Sequence, residues 1–103
     1  MNHPVSKKSQ SIENVRQYRF VDTLKKLPFV KKVILFGSRA RGDEQQRSDI
    51  DLAIDCPEAT DEQWHKILDI IDEADTLLMI DCVNLAKADE RFKKNILNDG
   101  VEL

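Results

Sequence analysis

Two stretches of the chain, KVILFGS at residues 32–38 and SDIDLAI at residues 48–54, decide its fold. The first is an apolar, β-branched run that stops at Gly37, as a buried strand does. In the second, acidic and apolar residues alternate, which is typical of a strand with one buried face. We therefore predict strands over residues 32–36 and 50–54, joined by a loop or short helix over residues 38–47.

The alternation in the second stretch places two carboxylates together. Residues i and i+2 of a strand project from the same face, so Asp49 and Asp51 share one side. The opposite side is apolar and consists of Ile50, Leu52 and Ile54. At about 6.5 Å apart and an effective dielectric of roughly 20, the two charges repel by about 2.5 kcal/mol. Against a domain stability of about 5–15 kcal/mol, this repulsion calls for a compensating cation or proton.

A third carboxylate, Asp81, interrupts the later apolar run of residues 77–85, which we predict to be a strand. We expect the strand that carries Asp81 to be central in the sheet. An ionised Asp in a central strand is too costly to be a packing residue without a partner. Asp49, Asp51 and Asp81 are then expected to meet on one face of the sheet. Three carboxylates supply hard oxygen ligands that suit Mg²⁺ rather than zinc or copper, and Mg²⁺ would bridge the phosphates of a nucleoside triphosphate.

The Gly37-Ser38 turn has the chemistry of a phosphate contact. Glycine lets the backbone approach a phosphate closely, and the Ser38 hydroxyl with adjacent N–H groups donates to its oxygens. Arg39 or Arg41 would add positive charge, although Arg41 has an equal claim to pair with Asp43 or Glu44. The loop is not a Walker P-loop, because Asp43-Glu44 stands where that motif requires Lys-Ser/Thr. It is not a dinucleotide fingerprint either, since no second glycine follows at two residues.

The remaining segments predict helices around these strands. Residues 1–10 are polar and are expected to form a mobile tail, and residues 11–27 carry an apolar stripe typical of one helix. Thr60 to Gln63 has the pattern of a capping box that starts a helix running to about Asp75. A last helix is predicted over residues 87–97. The fold class is therefore α/β or α+β, a small mixed sheet backed by helices, in one domain over residues 11–103.

The composition argues against a membrane protein, a secreted protein and a strong nucleic-acid binder. The 103 residues are 41% hydrophobic and 34% charged, as in ordinary soluble proteins, and contain neither a membrane-spanning run nor a signal peptide core. We expect a cytoplasmic protein without membrane contact. The net charge of −3 argues against strong direct nucleic-acid binding. The two cysteines, Cys56 and Cys82, lack metal-type spacing and are expected to be inert packing residues.

The combined pattern resembles a known family. A Gly37-Ser38 pair, ten intervening residues, Asp49-x-Asp51 and a later Asp81 resemble the signature of the DNA polymerase β nucleotidyltransferase superfamily, and most closely its minimal nucleotidyltransferases. The resemblance implies that Gly37 and Ser38 hold the triphosphate of ATP and that Asp49 and Asp51 bind two Mg²⁺ ions. It also implies that Asp81 binds the catalytic ion and helps to activate the acceptor hydroxyl.

The resemblance further implies a partner. Members of this family are commonly encoded beside a helical HEPN-domain toxin and act as its antitoxin, in some pairs by placing AMP on a tyrosine of the toxin. Two alternatives stay open: a non-catalytic module that masks the partner, and a subunit that modifies a small molecule. Oligomeric state is also left open.

Overall fold

The computed structural model describes residues 6–103, in which four strands form a single sheet and helices pack against it. The predicted mixed α/β class is confirmed. In chain order the elements are α1 Lys7–Arg16, α2 Arg19–Lys25, β1 Lys32–Phe36, α3 Ser38–Arg41, β2 Ile50–Asp55, α4 Asp61–Asp72, β3 Ile80–Asn84, a 3₁₀ turn Leu85–Lys87, α5 Glu90–Asp99 and β4 Val101–Glu102.

The four strands are ordered β3-β2-β1-β4 in a mixed sheet. Strand β1 pairs antiparallel with both β2 and β4, whereas β2 pairs parallel with β3. The prediction that Asp81 lies in a central strand is wrong, because β3 is the edge of the sheet and Asp81 is exposed. An exposed edge removes most of the burial cost on which that prediction rested.

The sheet has a different cover on each face. One face packs against α1, α2 and α4 in the larger core, and here the predicted apolar face of β2 is confirmed, since Ile50, Leu52 and Ile54 are fully buried. The other face carries a smaller cluster that includes Ile34, Ala53 and Ile96 of α5. Because paired residues share a face, the carboxylates of Asp51 and Asp81 lie on this second side.

The prediction of one helix over residues 11–27 is wrong. Two helices, α1 and α2, are separated by Gln17 and Tyr18, and the carboxylate of Asp75 accepts hydrogen bonds from the first two backbone N–H groups of α2. Helix α1 also begins at Lys7, capped by Ser6, inside the predicted tail. The rest of that tail, residues 1–5, lies outside the described residues.

The other boundaries shift by a few residues. The Thr60 capping box is present with Gln63, but α4 ends at Asp72 rather than near Asp75. Strand β3 begins at Ile80 instead of residue 77, and α5 starts at Glu90 after the 3₁₀ turn. The two-residue strand β4 was not predicted. No helix within residues 6–103 is long and apolar enough to cross a membrane.

Candidate functional site

Two of the predicted carboxylates are direct neighbours in the sheet. Asp51 of β2 pairs in register with Asp81 of the parallel strand β3, so their side chains project from the same face at adjacent positions. On its other side Asp51 pairs with Phe36, the last residue of β1. The pairing therefore brings the end of β1, where the Gly37-Ser38 turn starts, next to both acids.

Gly37 lies directly against the carboxylate of Asp51. Its backbone has φ 74° and ψ −155°, a region open essentially to glycine alone. A Cβ at this position would overlap the Oδ2 atom of Asp51. The predicted phosphate turn and the predicted carboxylates, which are distant in sequence, are thus in contact.

The environment of Asp51 favours its protonated form. Burial raises the pKa of Asp51, and the charges of Asp81 and Asp49 and a side-chain hydrogen bond with Asp81 raise it further, whereas Arg41 acts in the opposite direction. Asp49 and Asp81 therefore lie close enough to Asp51 for their charges to act on it. Three like charges at one position are the condition that a proton or a cation relieves.

The donor set fits Mg²⁺, although the three carboxylates do not form a closed cage. Within residues 6–103, no group of three or more His, Cys, Asp or Glu side chains is arranged to hold a metal ion. Asp51 and Asp81 form a pair, and Asp49 is exposed just before β2. Mg²⁺ is commonly held by one or two carboxylates together with substrate phosphates, so a pair with a nearby third acid is a suitable arrangement.

Ser38 and Arg41 lie at the two ends of the short helix α3, which follows Gly37. Ser38 is half-buried, while Arg41 is exposed and its Nε donates to Asp43 Oδ2 at 3.1 Å. The pairing of Arg41 with Asp43 that the sequence left open is therefore present. Since Arg41 also lowers the pKa of Asp51, against the larger effect of burial, its positive charge reaches the acidic pair.

Arg39 is placed differently from the other predicted nucleotide ligands. It is buried, and its guanidinium donates to the backbone carbonyl of Ser48, from Nε at 3.1 Å and from Nη2 at 2.9 Å. No sequence pattern predicts this contact, because an arginine in a loop is normally exposed.

Helix α1 supports the same loop from outside, through contacts that were also not predicted. The Ser11 hydroxyl donates to the carboxylate of Glu44 at 2.5 Å, and Lys7 Nζ donates to the Glu44 carbonyl at 3.3 Å. Gly42, with φ 81°, lets the loop approach α1 so closely that a Cβ would lie 2.7 Å from the Cα of Lys8. The loop between the turn and the carboxylates is therefore held against α1.

A protein-family model described as "Polymerase beta, Nucleotidyltransferase" matches residues 19–103. The chain belongs to the polymerase β nucleotidyltransferase family. The matched range contains the Gly37-Ser38 turn and all three acids, Asp49, Asp51 and Asp81. Helix α1 precedes it.

Solved structures with a similar fold come from toxin–antitoxin systems. A crystal structure of the toxin–antitoxin MntA-HpeT, in a mutant form, matches with 25% identity and a TM-score of 0.60, over 88% of this chain and 70% of that chain. A crystal structure of a toxin–antitoxin with AMP-PNP has 20% identity and a TM-score of 0.57, over 95% of this chain and 72% of that chain, and shows likeness of fold alone. No curated protein matches the chain.

Proposed function

We propose that this nucleotidyltransferase domain is the antitoxin of a toxin–antitoxin pair and transfers AMP from ATP, with Mg²⁺, to a hydroxyl of its partner. The acceptor that we propose is a tyrosine of a HEPN-type toxin encoded nearby. Family membership supports the transfer of a nucleotidyl group, and the two similar structures support the toxin partner and an adenine nucleotide.

One observation carries the proposal. Asp51 and Asp81 are paired in register immediately beside Gly37, whose missing side chain leaves room for the Asp51 carboxylate. A surface that only masks a partner gains nothing from adjacent like charges, which cost stability. A site that binds Mg²⁺ and a triphosphate needs both the carboxylates and the close backbone turn.

In the proposed site, Gly37 and Ser38 hold the triphosphate through backbone N–H groups and the Ser38 hydroxyl, and Arg41 adds positive charge. Asp49, Asp51 and Asp81 would hold the metal, which when bound neutralises charge on the phosphates. Arg39 has no phosphate-binding role in this site, since its guanidinium is buried against backbone carbonyls.

The proposed reaction is a substitution at the α-phosphorus of ATP. The acceptor oxygen forms a bond to the α-phosphorus, the bond from that phosphorus to the oxygen bridging to the β-phosphate breaks, and pyrophosphate leaves. The proton of the acceptor hydroxyl passes to the Asp81 carboxylate. Asp81 suits this task because it lies on the exposed edge strand, where a hydroxyl of a second protein has access.

The test is to incubate the protein with the protein encoded beside it, Mg²⁺ and ATP, and to weigh the neighbour by mass spectrometry. We expect the neighbour to gain one or more AMP units on a tyrosine, with release of pyrophosphate. The Asp81→Asn variant is expected to lose this transfer. Asp69→Asn, an equivalent change of an exposed acid on α4, on the opposite side of the sheet, is the matched control and should retain it.

Stable binding of the neighbour without a gain in mass, from a protein that binds Mg²⁺ and ATP, would contradict transfer and favour the masking module. A gain in mass that survives Asp81→Asn unchanged would refute the role given to Asp81.

A further inference from the structure

Arg39 is an unusual buried cation. Its exposure is 8%, although arginine is rarely buried without a charged partner. Within residues 6–103 it forms no ion pair with a carboxylate. The guanidinium instead donates hydrogen bonds to backbone carbonyl oxygens.

Those oxygen atoms belong to the chain that leads into β2. Both Nε and Nη2 of Arg39 donate to the carbonyl of Ser48, at 3.1 and 2.9 Å, and Nη2 also lies 3.5 Å from the carbonyl of Gln46. The fork geometry of a guanidinium is what allows two nitrogens to converge on one oxygen. A lysine has a single side-chain nitrogen and cannot donate from two nitrogens to the same carbonyl.

The Ser48 carbonyl that accepts these hydrogen bonds lies directly before Asp49 in the chain. The carbonyl of Ser48 belongs to the peptide unit that contains the N–H of Asp49, and Arg39 directly follows Ser38. The contact therefore joins the end of the loop that precedes the carboxylates to the helix that begins at the phosphate turn. Ser48 is itself fixed in a tight turn, since its hydroxyl accepts from the Gln45 N–H at 2.8 Å.

We propose that Arg39 is a positioning residue that sets the place of Asp49 relative to Asp51 and Asp81, and so determines the affinity of the site for a divalent metal ion. It acts through the backbone of Ser48 and has little exposed surface left for a phosphate. This inference rests on the proposed function, because it takes the three acids as the metal site.

The test titrates Mn²⁺ alone, without nucleotide, into the full chain by isothermal calorimetry. Arg39→Gln and Arg39→Lys are both expected to weaken Mn²⁺ binding by roughly 10–100-fold, the usual effect of losing a group that orients a metal ligand. Arg47→Gln removes an exposed charge from the same loop and should bind Mn²⁺ like the wild type. Circular dichroism checks each fold, and Arg39→Lys carries the test if Arg39→Gln does not fold.

The outcomes separate position from charge. A folded Arg39→Lys that binds Mn²⁺ as tightly as the wild type, with or without a defect in Arg39→Gln, would overturn the inference, because only charge would then matter. Equal weakening in Arg47→Gln would overturn it too. Absence of Mn²⁺ binding by the wild type would instead refute the metal site of the proposed function, and the inference with it.

Discussion

Gly37 is the residue at which the backbone comes closest to the acidic pair. Two independent constraints require glycine there: the backbone angles, with φ 74° and ψ −155°, and the overlap of any Cβ with Asp51 Oδ2. A side chain at position 37 would therefore strain the turn and displace the carboxylate together.

Gly37→Ala is expected to lower the free energy of unfolding by about 1–3 kcal/mol, the usual cost of forcing a residue into this region. It should also weaken binding of Mg²⁺ with ATP, because the displaced Asp51 carboxylate no longer meets the phosphates. Urea unfolding and a nucleotide titration measure the two effects. Gly42→Ala is the matched control, since Gly42 also has a positive φ, of 81°, but its Cβ would meet Lys8 rather than an acid.

The control variant should lose stability and keep nucleotide affinity. If Gly37→Ala binds Mg²⁺ and ATP like the wild type, the turn does not shape the site. Equal loss of affinity in both variants would mean that destabilisation alone explains the effect.

Individual side chains differ in how far the sequence could predict them. The strand ending at Gly37 and the alternating strand that carries Asp51 were both predicted from the sequence, but their contact depends on the antiparallel register that pairs Phe36 with Asp51. The burial of Arg39 was not predicted, because its acceptors are backbone carbonyls, and any residue at positions 46 and 48 presents those. No pattern of side chains marks such a contact.

Helix α2 shows how one element depends on another. Its N-cap residue, Tyr18, provides no side-chain cap, and the carboxylate of Asp75 takes that place by accepting from the N–H groups of Arg19 and Phe20 at 3.0 and 3.1 Å. The hydrogen bond from the Arg19 N–H holds the pKa of Asp75 below its usual value, although slight burial acts against it. The charged form of Asp75 therefore stabilises the folded protein.

A lowered pKa in the folded state means that this stabilisation is complete above the unfolded pKa of about 3.9 and is lost as the pH falls through the lower folded value. We predict that the wild type is more stable than Asp75→Asn at pH 7 and that the difference shrinks below about pH 4. Thermal unfolding across pH 3–7 measures it. Asp72→Asn, at the exposed end of α4, is the control and should show a smaller difference that does not follow this pH dependence. A constant gap between wild type and Asp75→Asn would contradict the assignment.

Strands β1 and β2 were predicted well and the break between α1 and α2 was not, because only the two strands are specified by local sequence. Strands β1 and β2 are marked locally, by an apolar run ending in Gly37 and by alternation. The break at Gln17 and Tyr18 contains neither proline nor glycine, and it is capped by Asp75, more than fifty residues away. The two-residue strand β4 is likewise stabilised by its pairing with β1 and is too short for a pattern.

Across the molecule, the order of the strands places the site at an accessible edge. Because β3 is outermost, Asp81 is exposed, whereas Asp51 lies between β1 and β3 and is half-buried. The loop between the Gly37-Ser38 turn and the carboxylates is held on its outer side by α1, which lies before the range matched by the family model. Of the three acids expected to meet, Asp51 and Asp81 are paired in register, whereas Asp49 is exposed just before β2. Strand order, which no local pattern encodes, decides that Asp81 faces solvent.

The most direct test of the central claim, that these acids and the glycine turn form a Mg²⁺–nucleotide site, is the melting temperature with and without Mg²⁺ and ATP. At a ligand concentration 100 times the dissociation constant, binding to the folded state should raise it by roughly 10–20 °C. The double variant Asp49→Asn with Asp51→Asn should lose this shift. Asp55→Asn, the same change farther along β2, should keep it. A double variant that retains the full shift would show that the nucleotide binds elsewhere and would contradict the account.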